Sequence, residues 1–89
     1  MYLPITIEII KKDRWYIARA VELDFISQGK TPEEAKKNLY EVIDIQFEEM
    51  NKMGTLKEYL EECGFDLNKT FKAPEFVGLE KTKLFVECL

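Results

Sequence analysis

The sequence predicts a small α+β domain whose elements run β-β-β-α-α-β, with an antiparallel-dominated sheet and helices packed on one face. Two observations predict this fold class. Apolar residues alternate with polar residues early in the chain, and after residue 31 they recur at helical spacing instead. The length of 89 residues, with 46% hydrophobic and 34% charged residues, suits a single domain spanning residues 1–89.

Three strands are predicted before the first helix. In the first strand, Ile5, Ile7 and Ile9 share one face, which is typical of a half-buried strand. A short polar turn joins it to the second strand, so these two strands form a hairpin. The third strand is short and is ended by Gly29. The predicted ranges are 3–11, 15–21 and 25–28.

The first helix is predicted over residues 31–53. Thr31 is placed to cap it, and Glu34 completes a capping box. Pro32 occupies the first helical position, and Gly54 is placed to end the helix in a left-handed conformation. The residues expected to face the sheet form one apolar stripe of Ala35, Leu39, Val42, Ile43, Phe47 and Met50.

A second, shorter helix is predicted directly after the first. Thr55 repeats the capping signal with Glu58 as its partner, and Gly64 closes the helix. The helix is amphipathic because its apolar residues recur at helical spacing. These residues are Leu56, Tyr59, Leu60 and Cys63.

The C-terminal part, residues 65–89, is predicted to be an extension that ends in a strand over residues 83–89. Apolar residues lie on both faces of this strand, with Leu84 and Val86 on one and Phe85 and Leu89 on the other. A strand covered on both sides in so small a domain points to another subunit. We therefore expect a homodimer, with Phe85 and Leu89 as candidate self-association residues.

The charge distribution narrows the class of partner. Net charge is −4, and residues 31–64 alone carry nine acidic and four basic groups, a balance of −5. Phosphate binding needs a basic surface, so nucleic acid is not expected as a direct partner. The apolar runs are too short to span a membrane. An acidic helix face suits a basic protein partner, although a solvated face that only maintains solubility is the plain alternative. The candidate contacts are Glu41, Asp44, Glu48 and Glu49.

The residue types present exclude several classes of enzyme. The chain has no histidine, which removes the commonest general base and metal ligand. Ser27 is the only serine, and no activating base lies near it in sequence. The remaining alternative is a metal-dependent nuclease that uses Glu8 with Glu41 or Asp44, but the last strand offers only Glu87 as a further acid. We expect no enzyme activity, no metal and no cofactor.

The two cysteines, Cys63 and Cys88, bear on the compartment. Their spacing matches neither a metal site nor a Cys-x-x-Cys motif. Reduced thiols in a cytoplasmic protein are expected, with a disulfide as the alternative. No signal peptide precedes the first strand.

The junction between the third strand and the first helix carries a sequence signature. Residues 26–35 read Ile-Ser-Gln-Gly-Lys-Thr-Pro-Glu-Glu-Ala, which resembles the S-Q-G-x-T-x-E-E-A signature of HicB-type antitoxins. The resemblance is strongest over residues 4–53. Physically, Gly29 permits the turn out of the strand, and Ala35 lets the helix lie close to the sheet. The signature positions are Ser27, Gln28, Gly29, Thr31, Glu33, Glu34 and Ala35.

The resemblance implies a partial ribonuclease H-like fold that lacks the nuclease residues. It further implies an antitoxin-like protein that binds and occludes a small basic HicA-type toxin, which cleaves mRNA. The alternative is an orphan HicB-like oligomeric protein with a different protein or ligand partner. Trp15 and Tyr16 are either partner-binding anchors or parts of the sheet core and its cover.

Overall fold

The computed structural model describes residues 2–68 and 73–87 of the chain. Three antiparallel strands are followed by two helices, which confirms the α+β class and the predicted order of these elements. Within these ranges, neither helix combines the length and the apolar composition of a membrane span. The elements are β1 (Ile7–Lys12), β2 (Trp15–Ala20), β3 (Phe25–Gly29), α1 (Pro32–Met53) and α2 (Leu56–Glu62).

The sheet has the strand order β1-β2-β3, and both pairs of neighbours are antiparallel. Ala18 of β2 lies opposite Ile9 of β1 on one side and Ser27 of β3 on the other. Side chains alternate across a strand, so Ala18 shares its face with Ala20. Both alanines are fully buried, which identifies this face as the one under the helices. Their small side chains let a helix approach closely.

The beginning of α1 follows the prediction in part. The Thr31 hydroxyl oxygen accepts a hydrogen bond from the Glu34 backbone N–H at 3.0 Å, so the predicted cap is confirmed. Pro32 occupies the first helical position. Among the described residues, the Thr31 N–H does not donate to the Glu34 carboxylate, so only half of the capping box is present.

The end of α1 explains why one predicted cap fails. Gly54 adopts the predicted left-handed conformation, with φ 76°. Its N–H donates to the Asn51 carbonyl at 3.2 Å, and the Thr55 N–H donates to the Met50 carbonyl at 2.9 Å, which is a Schellman motif. Thr55 occupies the N-cap position of α2 as predicted, but the predicted capping bond is missing, because its side chain makes no cap bond. Its hydroxyl turns back towards the Met50 carbonyl instead, at 3.5 Å.

Tyr59 links the short helix α2 to the turn that follows β2 and to the first residue of β3. The Tyr59 hydroxyl donates to the Leu23 carbonyl at 2.6 Å. The Tyr59 ring also stacks on Phe25, with ring centroids 5.7 Å apart and an interplanar angle of 9°. Gly64 closes the helix as predicted, with φ 98° and a 3.0 Å bond from its N–H to the Glu61 carbonyl.

The hydrophobic core lies between the helix-facing side of the sheet and the two helices. Helix α1 packs mainly on β3 and β2 and reaches β1 only at its margin. Of the predicted stripe, Ala35 and Leu39 are buried, and the other four members are half-buried. The buried residues are Ala18, Ala20, Leu23, Ala35, Leu39, Leu60 and Phe65.

The C-terminal segment differs from the prediction. Residues 73–87 contain no helix or strand, so the strand predicted over residues 83–89 is not present in the described part of that range. Leu84 and Phe85 are exposed at 83% and 90%. A strand forms only where its backbone finds a partner to pair with, and no strand among the described residues pairs with this segment. Cys88 and Leu89 lie outside the described residues.

Candidate interaction surfaces

The signature residues at the junction between β3 and α1 determine how closely the helix lies on the sheet. Gly29 is buried, and a Cβ built on it would lie 2.5 Å from the Ala35 nitrogen and 2.8 Å from the Glu34 carbonyl carbon. No side chain fits there, so glycine is required by the close approach of α1. The predicted role of Gly29 as a turn residue is wrong, because its φ is not positive.

Other signature residues support the same junction. Ala35 is fully buried, which confirms that it lets the helix lie close to the sheet. The Asn38 side-chain amide donates to the Gln28 carbonyl at 2.9 Å and adds a second link between α1 and β3. Ser27 is half-buried on the helix side, whereas the side chains of Gln28 and Glu33 are exposed. The signature therefore builds the junction and sets the position of the outer face of α1.

Three of the four candidate acids form one stripe on α1. Glu41, Asp44 and Glu48 are separated by three and four residues, so they lie on the same side of the helix, and all are exposed. The Glu48 carboxylate lies 3.4 Å from the Lys52 ammonium group, an exposed pair of the kind that contributes little to stability. Glu49 is also exposed but lies roughly 100° around the helix from Glu48.

Two apolar side chains share this outer face, and the sequence analysis did not identify them. Ile45 is 60% exposed and lies one helical turn from both Glu41 and Glu48. Tyr40 is 47% exposed, with the Lys36 ammonium group 5.8 Å from its ring centroid. The sequence signal that could have found Ile45 is its position outside the apolar stripe. Ile45 is thus an exposed apolar side chain whose neighbours on the helix surface are acidic.

Trp15 and Tyr16 do not belong to the acidic surface. Trp15 lies on the open face of the sheet, away from the helices, and is 37% exposed. Tyr16 points to the helix side, where it is half-buried against the core, with the Lys11 ammonium group 5.8 Å from its ring centroid. The structure therefore separates the two candidate anchors from each other and from the acidic stripe.

Trp15 is part of a second apolar surface on the open face of the sheet. Ile10 and Ile17 lie directly opposite each other on this face, and Ile26 on β3 is also exposed. Arg19 lies beside them and forms a 3.2 Å ion pair with Asp24. This surface is apolar in its middle and charged at its border.

No protein-family model, curated protein or solved structure matches the chain.

A metal site would require several carboxylates to lie close together. Glu8 lies opposite Arg19 on the open face of the sheet, whereas Glu41 and Asp44 lie on the outer side of α1, beyond the core. Glu8 therefore cannot share one metal ion with Glu41 or Asp44. No cluster of three or more metal-ligating side chains occurs within residues 2–68 and 73–87.

An apolar groove opens between the start of β1 and the two helices. Its volume is about 690 Å³. The groove exists because α1 covers β2 and β3 but leaves β1 largely uncovered. Asp44 lies at its rim and connects it with the acidic stripe. Its walls are formed by Tyr2, Leu3, Ile5, Ile7, Leu23, Tyr40, Ile43, Phe47, Leu56 and Leu60.

Burial shifts the pKa values of two groups at the end of the second helix, Tyr59 and Cys63. Burial raises the pKa of Tyr59 to about 12, and the neighbouring Cys63 adds to this. Burial also raises the pKa of the Cys63 thiol, so it stays protonated and weakly nucleophilic. Cys63 is a free thiol, as predicted, whereas the prediction for Cys88 falls outside the described residues.

Proposed function

We propose that this chain is an antitoxin-like protein that binds a small basic HicA-type toxin and occludes its RNA-binding face. The observation that carries the proposal is the outer face of α1, where Glu41, Asp44 and Glu48 surround the exposed Ile45. The resemblance of residues 26–35 to the HicB signature supplies the class of partner. The signature junction holds this face in one place, which favours binding because little order is lost.

The proposed mechanism combines charge and exclusion. A protein that cleaves mRNA needs a cationic surface for phosphates. The acidic stripe of α1 attracts that surface, speeds encounter and competes with RNA for the same cations. Ile45 provides an apolar contact in the middle of the stripe. Lys52 is not an obstacle, because an exposed ion pair such as Glu48–Lys52 is worth only about 0–1 kcal/mol and exchanges easily.

Occlusion requires no chemistry from this chain. The arrangement of Glu8, Glu41 and Asp44 on opposite sides of the core agrees with such a role. We assign Tyr16 to packing against the core, and we do not assign Trp15 to the toxin contact, because it lies on the open face of the sheet, away from the acidic stripe.

The test is to search beside the gene for a short basic reading frame and to co-express its product with this chain. We expect the wild-type chain to restore growth and to bind the toxin. Glu41→Lys combined with Asp44→Lys should weaken binding by more than about tenfold and abolish the rescue. The matched control is Glu61→Lys with Glu62→Lys, which makes the same charge change on exposed residues of α2. Equal loss from both pairs, or no rescue by the wild type, contradicts the proposal.

The second candidate is an orphan HicB-like oligomeric protein with a different protein or ligand partner. The observation that favours it is the apolar groove beside β1, which has no need of a basic partner. A pull-down from the native cell separates the two candidates. Recovery of a small basic protein supports the antitoxin, whereas a self-associated chain without such a protein supports the orphan.

A further inference from the structure

We propose that a second copy of this chain covers the open edge of its sheet. Residues 79–87 of one copy, the C-terminal arm, add as an extra strand beside β1 of the other copy, and the exchange is reciprocal. The product is a homodimer in which each arm also fills the groove next to β1. This inference does not rest on the toxin partner, because Glu41, Ile45 and Glu48 are not part of the groove, whereas Asp44 lies at its rim.

The outer edge of β1 is free to pair. Among the described residues, β1 is bonded to β2 alone. The Thr6 carbonyl accepts from the Val21 N–H at 2.9 Å, and the Thr6 N–H donates to the Glu22 carboxylate at 2.7 Å, so the Thr6 backbone points inward. Backbone groups alternate in direction along a strand, so those of Ile7 and Ile9 point outward. Such an edge is a template for pairing with another chain.

The groove lies beside this edge. Ile7 forms one wall of it, and Ile43 and Phe47 of α1 form the opposite wall. A strand added next to β1 would present every second side chain to the groove and the others to the open face of the sheet. The edge and the groove therefore require the same occupant: an extended segment with apolar residues on both faces.

The C-terminal arm has this pattern. Leu84 and Val86 share one face and Phe85 takes the other, and their side chains are exposed at 83%, 56% and 90%. In the proposed pairing, Leu84 and Val86 enter the groove, and Phe85 joins Ile10 on the open face. An extended arm over residues 79–87 reaches roughly 30 Å, at about 3.3 Å per residue, which exceeds the length of the six-residue β1.

The position of the arm favours a second copy over the same chain. The segment that leads to the arm passes the end of α2, where a Cβ on Gly64 would lie 2.7 Å from Pro74. Glu75 and Phe76 still line a surface pocket with the body of the domain, and beyond them the apolar side chains are largely exposed, with Val77 at 93% and Leu79 at 79%. The longest dimension of the chain is 46 Å. The radius of gyration is 15.7 Å, against about 12 Å for a compact domain of this length. The chain's own edge thus stays empty while its arm projects outward.

The exchange buries enough surface for a stable dimer. A large apolar side chain that becomes buried loses on the order of 100 Å² of apolar surface. The arm carries Leu79, Leu84, Phe85 and Val86, and two arms together with the two grooves they fill lose roughly 1,500 Å². Specific interfaces bury about 1,200–2,000 Å² in total. The proposed interface lies within that range.

The first experiment measures molar mass by light scattering across a dilution series of the full chain. We expect a dimer. Leu84→Asp with Val86→Asp should raise the dissociation constant by more than about tenfold. The matched control, Lys81→Asn with Lys83→Asn, makes the same change in net charge without removing apolar surface, and should remain a dimer. A wild-type monomer overturns the proposal, and so does a dimer that survives the Leu84 and Val86 changes.

The second experiment tests exchange itself. Ile9→Pro removes an N–H that points outward, so it blocks the added strand and leaves the bonds between β1 and β2 in place. The variant should be monomeric, with an unchanged circular dichroism spectrum. Mixing it with the Leu84 and Val86 variant at high protein concentration should give a mixed dimer, because the intact arm of one meets the intact edge of the other. This dimer has one of the two contacts, so it should be weaker than the wild-type dimer but tighter than that of either variant alone. Failure of the mixture to form dimers, while both variants are folded, overturns the exchange.

Discussion

The backbone nitrogen of Ala35 lies 2.5 Å from the position that a Cβ on Gly29 would occupy. The last residue of β3 and the first turn of α1 are therefore in direct backbone contact. This contact, together with the Thr31 cap, sets the height of α1 above the sheet. The acidic outer face of the helix owes its position to it.

Gly29→Ala should destabilise the protein. The added methyl group overlaps main-chain atoms of Glu34 and Ala35, which cannot rotate away, so we expect the free energy of unfolding to fall by about 1–3 kcal/mol. Urea denaturation followed by circular dichroism measures the change. Gly78→Ala is the control, because nothing lies within 4 Å of its Cβ position. Equal denaturation midpoints for the two variants contradict the role given to Gly29.

Much of this fold could be predicted from the sequence because its signals are local. The alternation in β1 and the apolar stripe of α1 are each signals within one element, and both predictions hold in part. The strand begins at Ile7 rather than at residue 3, and Ala35, Leu39, Ile43 and Phe47 of the stripe belong to the core or pack against it. The capping bond predicted for Thr55 is missing because its hydroxyl turns back towards the last turn of α1, and that choice depends on the geometry of the preceding turn. The strand over residues 83–89 failed in its described part because a strand needs a partner, which a sequence pattern does not supply.

The candidate surfaces were harder to predict than the fold. The acids Glu41, Asp44 and Glu48 were found because helix phase alone places them together. The groove beside β1 was missed because it depends on where α1 lies across the sheet. Trp15 and Tyr16 are adjacent in sequence, yet they lie on opposite faces, so they cannot act as one anchor.

Tyr59→Phe should cost about 1 kcal/mol of stability. The change removes the 2.6 Å hydrogen bond to the Leu23 carbonyl but keeps the ring that stacks on Phe25. The Leu23 carbonyl then loses its donor in a partly buried site. Thermal and urea denaturation measure the loss. Tyr40→Phe is the control, because that tyrosine is 47% exposed, and its denaturation midpoint should not change. A Tyr59→Phe midpoint equal to that of the wild type would refute the link.

Glu22 should make stability depend on pH. Partial desolvation acts to raise its pKa, but the bonds from the Thr6 N–H and hydroxyl, each 2.7 Å, outweigh it and lower the pKa below 4.5. A carboxyl with a lowered folded-state pKa stabilises the fold above its unfolded pKa. That contribution is lost as the pH falls through the folded-state value.

The measurement compares wild type with Glu22→Gln by urea denaturation across pH. We expect the variant to be less stable by about 1 kcal/mol at neutral pH, and the difference to shrink as the pH falls below 4.5. Glu8→Gln, a change at an exposed carboxylate on the open face, should leave the neutral-pH stability unchanged. A difference that stays constant down to low pH is incompatible with the proposed bonding of Glu22.

Ile45→Ala should separate binding from folding. Its side chain is 60% exposed and packs against nothing in the core, and alanine is the better helix former, so stability should change by less than about 0.5 kcal/mol. Binding of the basic partner should weaken by about 1–2 kcal/mol, because Ile45 is the apolar centre of the acidic stripe. Titration calorimetry and urea denaturation give the two quantities.

Two further variants serve as controls for Ile45→Ala, one for binding and one for stability. Met53→Ala removes another exposed apolar side chain from α1, away from the acidic stripe, and should leave binding intact. Leu39→Ala empties a fully buried site and should lower the free energy of unfolding by about 2–5 kcal/mol. If Ile45→Ala and Met53→Ala bind the partner equally well, the outer face of α1 is not the contact surface. The acids on that face would then act only as solvating groups.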